Sequence, residues 1–441
     1  MHLARSFSAL AVAALAALAG GCGTVAPGTA PAQIPAAAGR AVQSLASLGA
    51  YNVDKTKTTV AGISSGGFMA VQLHVAFSST FHYAAIYAGG PYYCAQNSLT
   101  TAQTTCQYAT TSSLSASESY LDSQSAAGTI DNKSNLSGQK AYLWSGTSDS
   151  TVSPKTMNDL NSEYAHYGVA TKYDNTYAAG HGWESPDGEV ACGTTASPYM
   201  IDCSGYDSEK TWLTYFYGSV NAKNTGTPTG TLVNFDQTPY GGGANDLDTN
   251  GYLYVPGSCS GGAQCRLIVA LDGCVQTQAN IGTKFVTEAG IDKYADTNNL
   301  LVLYPYQVSS STPTNPNGCW DWWGFEGSNY ALKAGIQMAA IKKMVDRIQS
   351  GGGATPTPSP TPSPGGSPTP TPRPTATPTA TPTPQPYSQS VTDTITNHYV
   401  AGRINVTQYN QLGSEYGYNT VITLYKCGTT WTNSPTCGPL H

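Results

Sequence analysis

The sequence predicts an α/β protein, a sheet carrying helices on both faces. Three observations lead there. Short apolar runs at 58–63, 84–88, 140–145, 172–178, 266–271 and 300–305 have the length and composition of strands. Stretches at 67–77, 155–166, 283–297 and 334–348 have helical length and patterning. The two kinds alternate along residues 50–350, which argues strand–helix units folded into one layered domain.

The chain starts MHLARSFSALAVAALAALAGGC. Arg5 precedes an apolar stretch from Phe7 to Ala19, too short to span a bilayer, so residues 1–22 are expected to be a signal peptide and 23–49 an N-terminal linker. Cys22 after LAGG is a loose match to a lipid-attachment site; a lipid anchor there and plain secretion are both open. Only 10% of the 441 residues are charged and the net charge is −6, against roughly 25% charged residues in an ordinary soluble domain. No cluster of Lys and Arg is present to neutralise phosphates, which argues against a nucleic-acid partner. Uncharged polar residues and 29 tyrosines take their place, a surface suited to an exported monomer that adsorbs to uncharged material.

There are 11 cysteines. Setting Cys22 aside, the others fall into near pairs: Cys94/Cys106, Cys192/Cys203, Cys259/Cys265, Cys274/Cys319 and Cys427/Cys437. An even set in an exported chain is expected to form disulfides. No CxxC spacing occurs, so no metal site is expected. Residues 351–387 are a Pro/Thr-rich linker, in which proline at this density forbids helix and sheet and favours an extended polyproline form reaching on the order of 100 Å. It separates the large domain, 50–350, from a small module, 388–441.

The stretch VAGISSGGFM joins an apolar strand to a helical segment, the context in which a G-x-S-x-G motif forms a nucleophile elbow. Centred on Ser64, the frame has Gly62 and Gly66 at both tight positions. Centred on Ser65, the first position is Ile63, which a tight turn rejects. Ser64 is therefore the candidate nucleophile, and the backbone N–H of Ser65 a candidate oxyanion donor. Acid and base follow the serine in this type of site. Asp149 lies in a loop past one predicted strand and His181 in a glycine-flanked loop past the next. A serine hydroxyl needs a base to take its proton, imidazole titrates near neutrality, and a carboxylate fixes its tautomer. His74, His82 and His166, and Asp174 and Asp187, are the weaker alternatives. No strand-and-glycine loop upstream of Ser64 can supply the second oxyanion donor; a downstream strand ending in Asp272-Gly273-Cys274 can.

These segments, with AGGPYYCAQ, SGTSDSTVSPK, AGHGW, GYLYVPGSC, ADTNNLLVLYPY and above all NPNGCWDWWGF, resemble the type 2 extracellular poly(3-hydroxybutyrate) depolymerases over most of residues 50–350. The resemblance implies a circularly permuted α/β-hydrolase, which accounts for an oxyanion strand that follows the histidine. It implies a Ser64–His181–Asp149 triad, an oxyanion hole from the N–H groups of Ser65 and Cys274, and substrate contacts from Trp320, Trp322 and Trp323, with Asp321 structural. In comparable hydrolases one oxyanion donor is worth about 3 kcal/mol in the transition state. The family reads His-Gly-Cys where this chain reads Asp272-Gly273-Cys274. A carboxylate there would repel an oxyanion unless paired or turned away, so it could slow the reaction, alter its pH dependence or mark another substrate. The Tyr-rich module 388–441 is similar in position to a substrate-binding domain.

The expected activity is cofactor-free hydrolysis of an insoluble short-chain polyester by a secreted serine esterase. A feruloyl or acetyl carbohydrate esterase with a polysaccharide-binding tail, and a polymer-binding protein with an impaired site, are the alternatives.

Overall fold

Strands form where apolar residues run without interruption. β1 (Thr59–Ile63), β2 (Tyr83–Tyr87), β3 (Lys140–Trp144) and β4 (Ala170–Asp174) come first in the chain. Three short strands, β5 (Trp183–Glu184), β6 (Val190–Ala191) and β7 (Met200–Asp202), make a small separate sheet. β8 (Thr231–Asp236), β9 (Asn250–Val255), β10 (Arg266–Leu271) and β11 (Leu300–Tyr304) complete the main sheet, and β12 (Gln389–Thr394), β13 (Val421–Cys427) and β14 (Thr430–Thr432) pair antiparallel near the C-terminus. This computed structural model describes residues 45–108, 114–351, 389–395, 398, 403–404, 421–427 and 430–432, all in the unit Leu45–His441. The expected signal peptide, Cys22, most of the proline-rich linker and the Cys437 partner of the fifth expected disulfide lie outside them.

The main sheet runs β4-β3-β2-β1-β10-β11-β9-β8. The neighbours from β4 to β11 are parallel, and β9 and β8 join antiparallel at one edge. Parallel strands buried on both faces need apolar side chains at every position. β10 shows this: Leu267, Val269 and Leu271 enter one core, and Ile268 and Ala270 the other. β11 divides likewise, with Leu301 and Leu303 on one side and Leu300, Val302 and Tyr304 on the opposite. Helices Pro154–His166 and Ile336–Ile348 cover the first face, and Ser208–Tyr217 and Ile291–Asn298 the second. Helix α1 (Ser65–Ala76) follows β1 and packs on β1 and β2, with all of its residues buried.

Two expected elements differ. The strand expected at 172–178 is β4, which ends at Asp174; the rest of that run leaves the sheet as the loop leading to His181. The helix expected at 283–297 is two, Lys284–Glu288 and Ile291–Asn298, because Gly290 adopts a left-handed φ of 71° between them. β8 and β9 and helices Leu114–Ala127 and Ser208–Tyr217 are additional elements. Four of the expected disulfides are formed: Cys94–Cys106, Cys192–Cys203, Cys259–Cys265 and Cys274–Cys319.

The core also holds an acid. Glu163, 1% exposed, accepts the Tyr92 N–H at 2.8 Å and the Ser117 hydroxyl. Burial dominates over these bonds and pushes its pKa up from 4.5 to about 8. Between those values the unfolded chain has released a proton that the folded protein still holds, so stability falls as pH rises through this window and levels off above it. Glu163→Gln carries no such loss. Denaturant melts at pH 5 and pH 8 are expected to shift in favour of Glu163→Gln, relative to the native chain, by on the order of a few kcal/mol.

Candidate active site

The site is built on the crossing from β1 to α1. Ser64 sits there with φ 57° and ψ −122°, a strained conformation for a residue with a side chain. Two glycines make the crossing possible. A Cβ on Gly62 would lie 2.1 Å from the Gly66 carbonyl oxygen, and one on Gly66 would lie 2.2 Å from the Asp272 carbonyl oxygen. Both approaches are backbone against backbone and leave no room for a side chain. The elbow therefore falls on Ser64, in the frame read from the sequence, and Ser65 opens the helix.

Because the strands are parallel, the segments after β1, β3, β4 and β10 emerge at one edge of the sheet. They carry Ser64, Asp149, His181 and Cys274 respectively. Asp149 Oδ2 and His181 Nδ1 are 2.8 Å apart, with the residues 6% and 5% exposed. Asp149 Oδ1 accepts the N–H groups of Thr151 and Val152 at 2.8 and 2.9 Å, so the carboxylate is held from both sides. The His181 N–H donates to Thr195 Oγ1 at 2.8 Å. With Nδ1–H donated to a carboxylate, Nε2 is the basic nitrogen. Ser64 Oγ has no hydrogen bond to a described residue; in unliganded hydrolases that bond often tightens only with substrate.

The other candidate bases and acids are engaged elsewhere. His74 is fully buried, contacts the Tyr164 hydroxyl at 2.9 Å, and is pushed down to about 4 by burial. His166 is exposed on its helix. Asp174 accepts the Tyr206 hydroxyl, and Asp187 pairs with Lys293.

The N–H groups of Ser65 and Cys274 have no partner among the described residues. The Gly273 N–H donates to Gln276 Oε1 at 2.6 Å, and Gln276 Nε2 donates to the Pro198 carbonyl at 2.7 Å. A Cβ on Gly273 would lie 3.1 Å from Ser64 Cβ, so this glycine is what lets the end of β10 pass Ser64. Cys274 is tied to Cys319 by its disulfide. Asp272 is turned into the core at 1% exposure, accepting the Trp320 indole N–H at 3.0 Å, and burial pushes its carboxyl well above the usual range.

The tryptophans divide. Trp320 is fully buried and its indole N–H is committed to Asp272, so it offers no face to a substrate; the expectation that it contacts substrate is corrected. Trp322, 7% exposed, stacks on Phe68 with ring centroids 4.2 Å apart. Trp323 is half-buried and meets Trp322 edge-on. Asp321 is structural: it accepts the N–H groups of Gly324, Phe325 and Glu326 and shapes the loop behind the tryptophans. Gln276, Gln307 and Phe68 were not singled out from sequence. No spacing marks a glutamine whose role is to hold backbone amides.

This fold and this edge define the chain as an α/β-hydrolase, in which β1, leading to the candidate nucleophile, precedes β10, leading to the candidate oxyanion donor, although the two are neighbours in the sheet. The chain belongs to the poly(3-hydroxybutyrate) depolymerase family. It is 41% identical over 332 residues to a polyhydroxybutyrate depolymerase of Talaromyces funiculosus, covering 71% of this chain and 96% of the relative. It is 42% identical over 327 residues to a poly(3-hydroxybutyrate) depolymerase of Delftia acidovorans, covering 72% of this chain and 64% of that longer relative. A solved PHB depolymerase from Penicillium funiculosum matches with a TM-score of 0.65 at 40% identity, over 69% of this chain and 99% of the other. A serine-to-alanine PHB depolymerase complexed with an R3HB trimer matches equally. A further match, 61% identical over 49 residues, is to 12% of poly(3-hydroxyalkanoate) depolymerase C of Paucimonas lemoignei. No protein-family model matches the chain.

Asp149→Asn keeps the shape of the site but favours the wrong imidazole tautomer. Its kcat on p-nitrophenyl butyrate is expected to fall by about four orders of magnitude with KM little changed.

Proposed function

We propose that this chain hydrolyses the ester bonds of poly(3-hydroxybutyrate) or a closely related short-chain polyester. Ser64 Oγ attacks the ester carbonyl as His181 Nε2 takes its proton. Asp149 holds the ring and stabilises the imidazolium. The tetrahedral oxyanion is received by the N–H groups of Ser65 and Cys274, and collapse expels the hydroxyl end of the polymer, which takes its proton from His181. Water then attacks the acyl-enzyme by the same route in reverse. No step requires a cofactor. The observation that carries this reading is the buried 2.8 Å Asp149–His181 bond at the edge of the sheet where Ser64 is presented. It is supported by kinship to a PHB depolymerase complexed with an R3HB trimer.

The segment 388–441 is proposed to adsorb to the solid substrate, with the linker 351–387 as tether and residues 50–350 as the catalytic domain. The described part of that segment is a three-stranded antiparallel sheet with a small core of Ile395, Ile404 and Leu424 and a half-buried Trp431. Tethering raises the local concentration of the catalytic domain at a surface it need not itself grip. Export as a monomer, the first 22 residues removed, belongs to the same proposal.

Turbidity of a poly(3-hydroxybutyrate) suspension should fall with the native chain and stay constant with Ser64→Ala. A chain ending at Gly351 should keep its rate on p-nitrophenyl butyrate while clearing the suspension at least tenfold more slowly, the loss of effective concentration being of that order or larger. Equal clearing by both would remove the adsorption role.

A further inference from the structure

Asp272 stands beside the oxyanion strand's last glycine with one half of its carboxyl accounted for. Oδ1 accepts the Trp320 Nε1–H at 3.0 Å. Oδ2 is buried without a partner. Gln307 is placed beside it by its bond to the carbonyl of the next residue, Gly273, and its own bonding is equally one-sided. Both Nε2 hydrogens go to carbonyls, Gly273 at 3.2 Å and Gly318 at 2.9 Å, while Oε1 is buried without a donor. Two acceptors buried together, each lacking a donor, are unfavourable, because each forgoes a hydrogen bond it had in water. One proton placed between them satisfies both.

We propose that Asp272 is a neutral carboxylic acid whose Oδ2–H donates to Gln307 Oε1, and that it acts as a positioning residue for the oxyanion hole. This rests on the proposed hydrolysis only for its consequence in rate. The chain of contacts is short. Asp272 fixes the Gln307 amide, Gln307 holds the Gly273 carbonyl, and that carbonyl belongs to the same peptide as the Cys274 N–H. Gln276 grips the preceding peptide through the Gly273 N–H, and the Cys274–Cys319 disulfide holds the far end. Burial favours the uncharged form and outweighs the contacts with Gln307, Trp320 and the Asp272 N–H, which favour the charged one; no positively charged group among the described residues faces the carboxyl. The groups facing it are Gln307 and Trp320, with Tyr306 as the titratable neighbour. β1 and α1 bring Ser64, Ser65 and Gly66 to this place, none of them charged. A neutral acid at this position also removes the repulsion that a carboxylate would exert on an oxyanion. The chemistry is that of a buried carboxyl kept protonated so that it can donate a hydrogen bond.

Asparagine reproduces both bonds, its Oδ1 accepting from Trp320 and its Nδ2 donating to Gln307. The test uses the full chain at pH 8. The infrared difference spectrum of native protein minus Asp272→Asn should show the carbonyl stretch of a protonated carboxylic acid. Carboxylate bands in its place would overturn the proposal. On p-nitrophenyl butyrate, Asp272→Asn should keep kcat within about twofold, while Asp272→Ala should lower kcat roughly tenfold with KM unchanged, a misplaced donor losing less than a deleted one. Asparagine falling as far as alanine, or alanine retaining native kcat, would remove the positioning role. If Asp272→Ala does not fold, the infrared band and the asparagine kinetics decide. If the native chain hydrolyses no ester, the functional reading fails and the band alone judges the protonation.

Discussion

The whole site depends on how closely the ends of β1 and β10 approach one another. Their parallel pairing continues to Gly62 opposite Leu271, and the chain then has to turn into α1 with the Asp272 carbonyl almost in contact with Gly66. No side chain fits at Gly62 or Gly66, and one at Gly273 would press on Ser64. That crowding forces Ser64 into its strained φ and ψ and lifts its side chain out of the sheet. It also brings two free backbone N–H groups, one from each strand end, to the same place. The proposed nucleophile and the proposed oxyanion pocket thus come from one backbone contact.

The rest of the edge holds this contact still. The Cys274–Cys319 disulfide, Gln276 and Gln307 all act on the three residues Asp272–Cys274. Asp149 is fixed by two backbone N–H groups before it meets His181, so the acid is oriented independently of the base. Such preorganisation is what gives hydrogen-bond donors their effect on a transition state, because little reorganisation remains when charge develops. Aromatic packing closes one side: Phe68, one turn into α1, stacks on Trp322, with Val152 and the Cys94–Cys106 disulfide in the same cluster.

Much of this is legible in the sequence, for physical reasons. The parallel strands are continuous apolar runs because both of their faces are buried, and the elbow is marked because only glycine fits beside it. The edge strand β8 is not legible, since half of its residues are exposed and only one is buried. The break at Gly290 was legible in principle as an isolated glycine within a helical pattern. Trp320 shows the limit of motif reading. The resemblance implied substrate contacts from all three tryptophans, but the Trp320 indole is taken by Asp272, 48 residues away in the chain and adjacent in space. Glutamines that hold carbonyls leave no periodic signal, so Gln276 and Gln307 emerge only from coordinates.

One serine, Ser64, placed by strand crowding and activated by His181, is the proposed nucleophile. Reaction with a fluorophosphonate ester followed by peptide mass analysis tests it most directly. A single adduct on Ser64 is expected, forming in the native chain and at least about a thousandfold more slowly in His181→Ala, as loss of the base implies. An adduct on Ser65 or another serine, or labelling of Ser64 at an unchanged rate without His181, would contradict it.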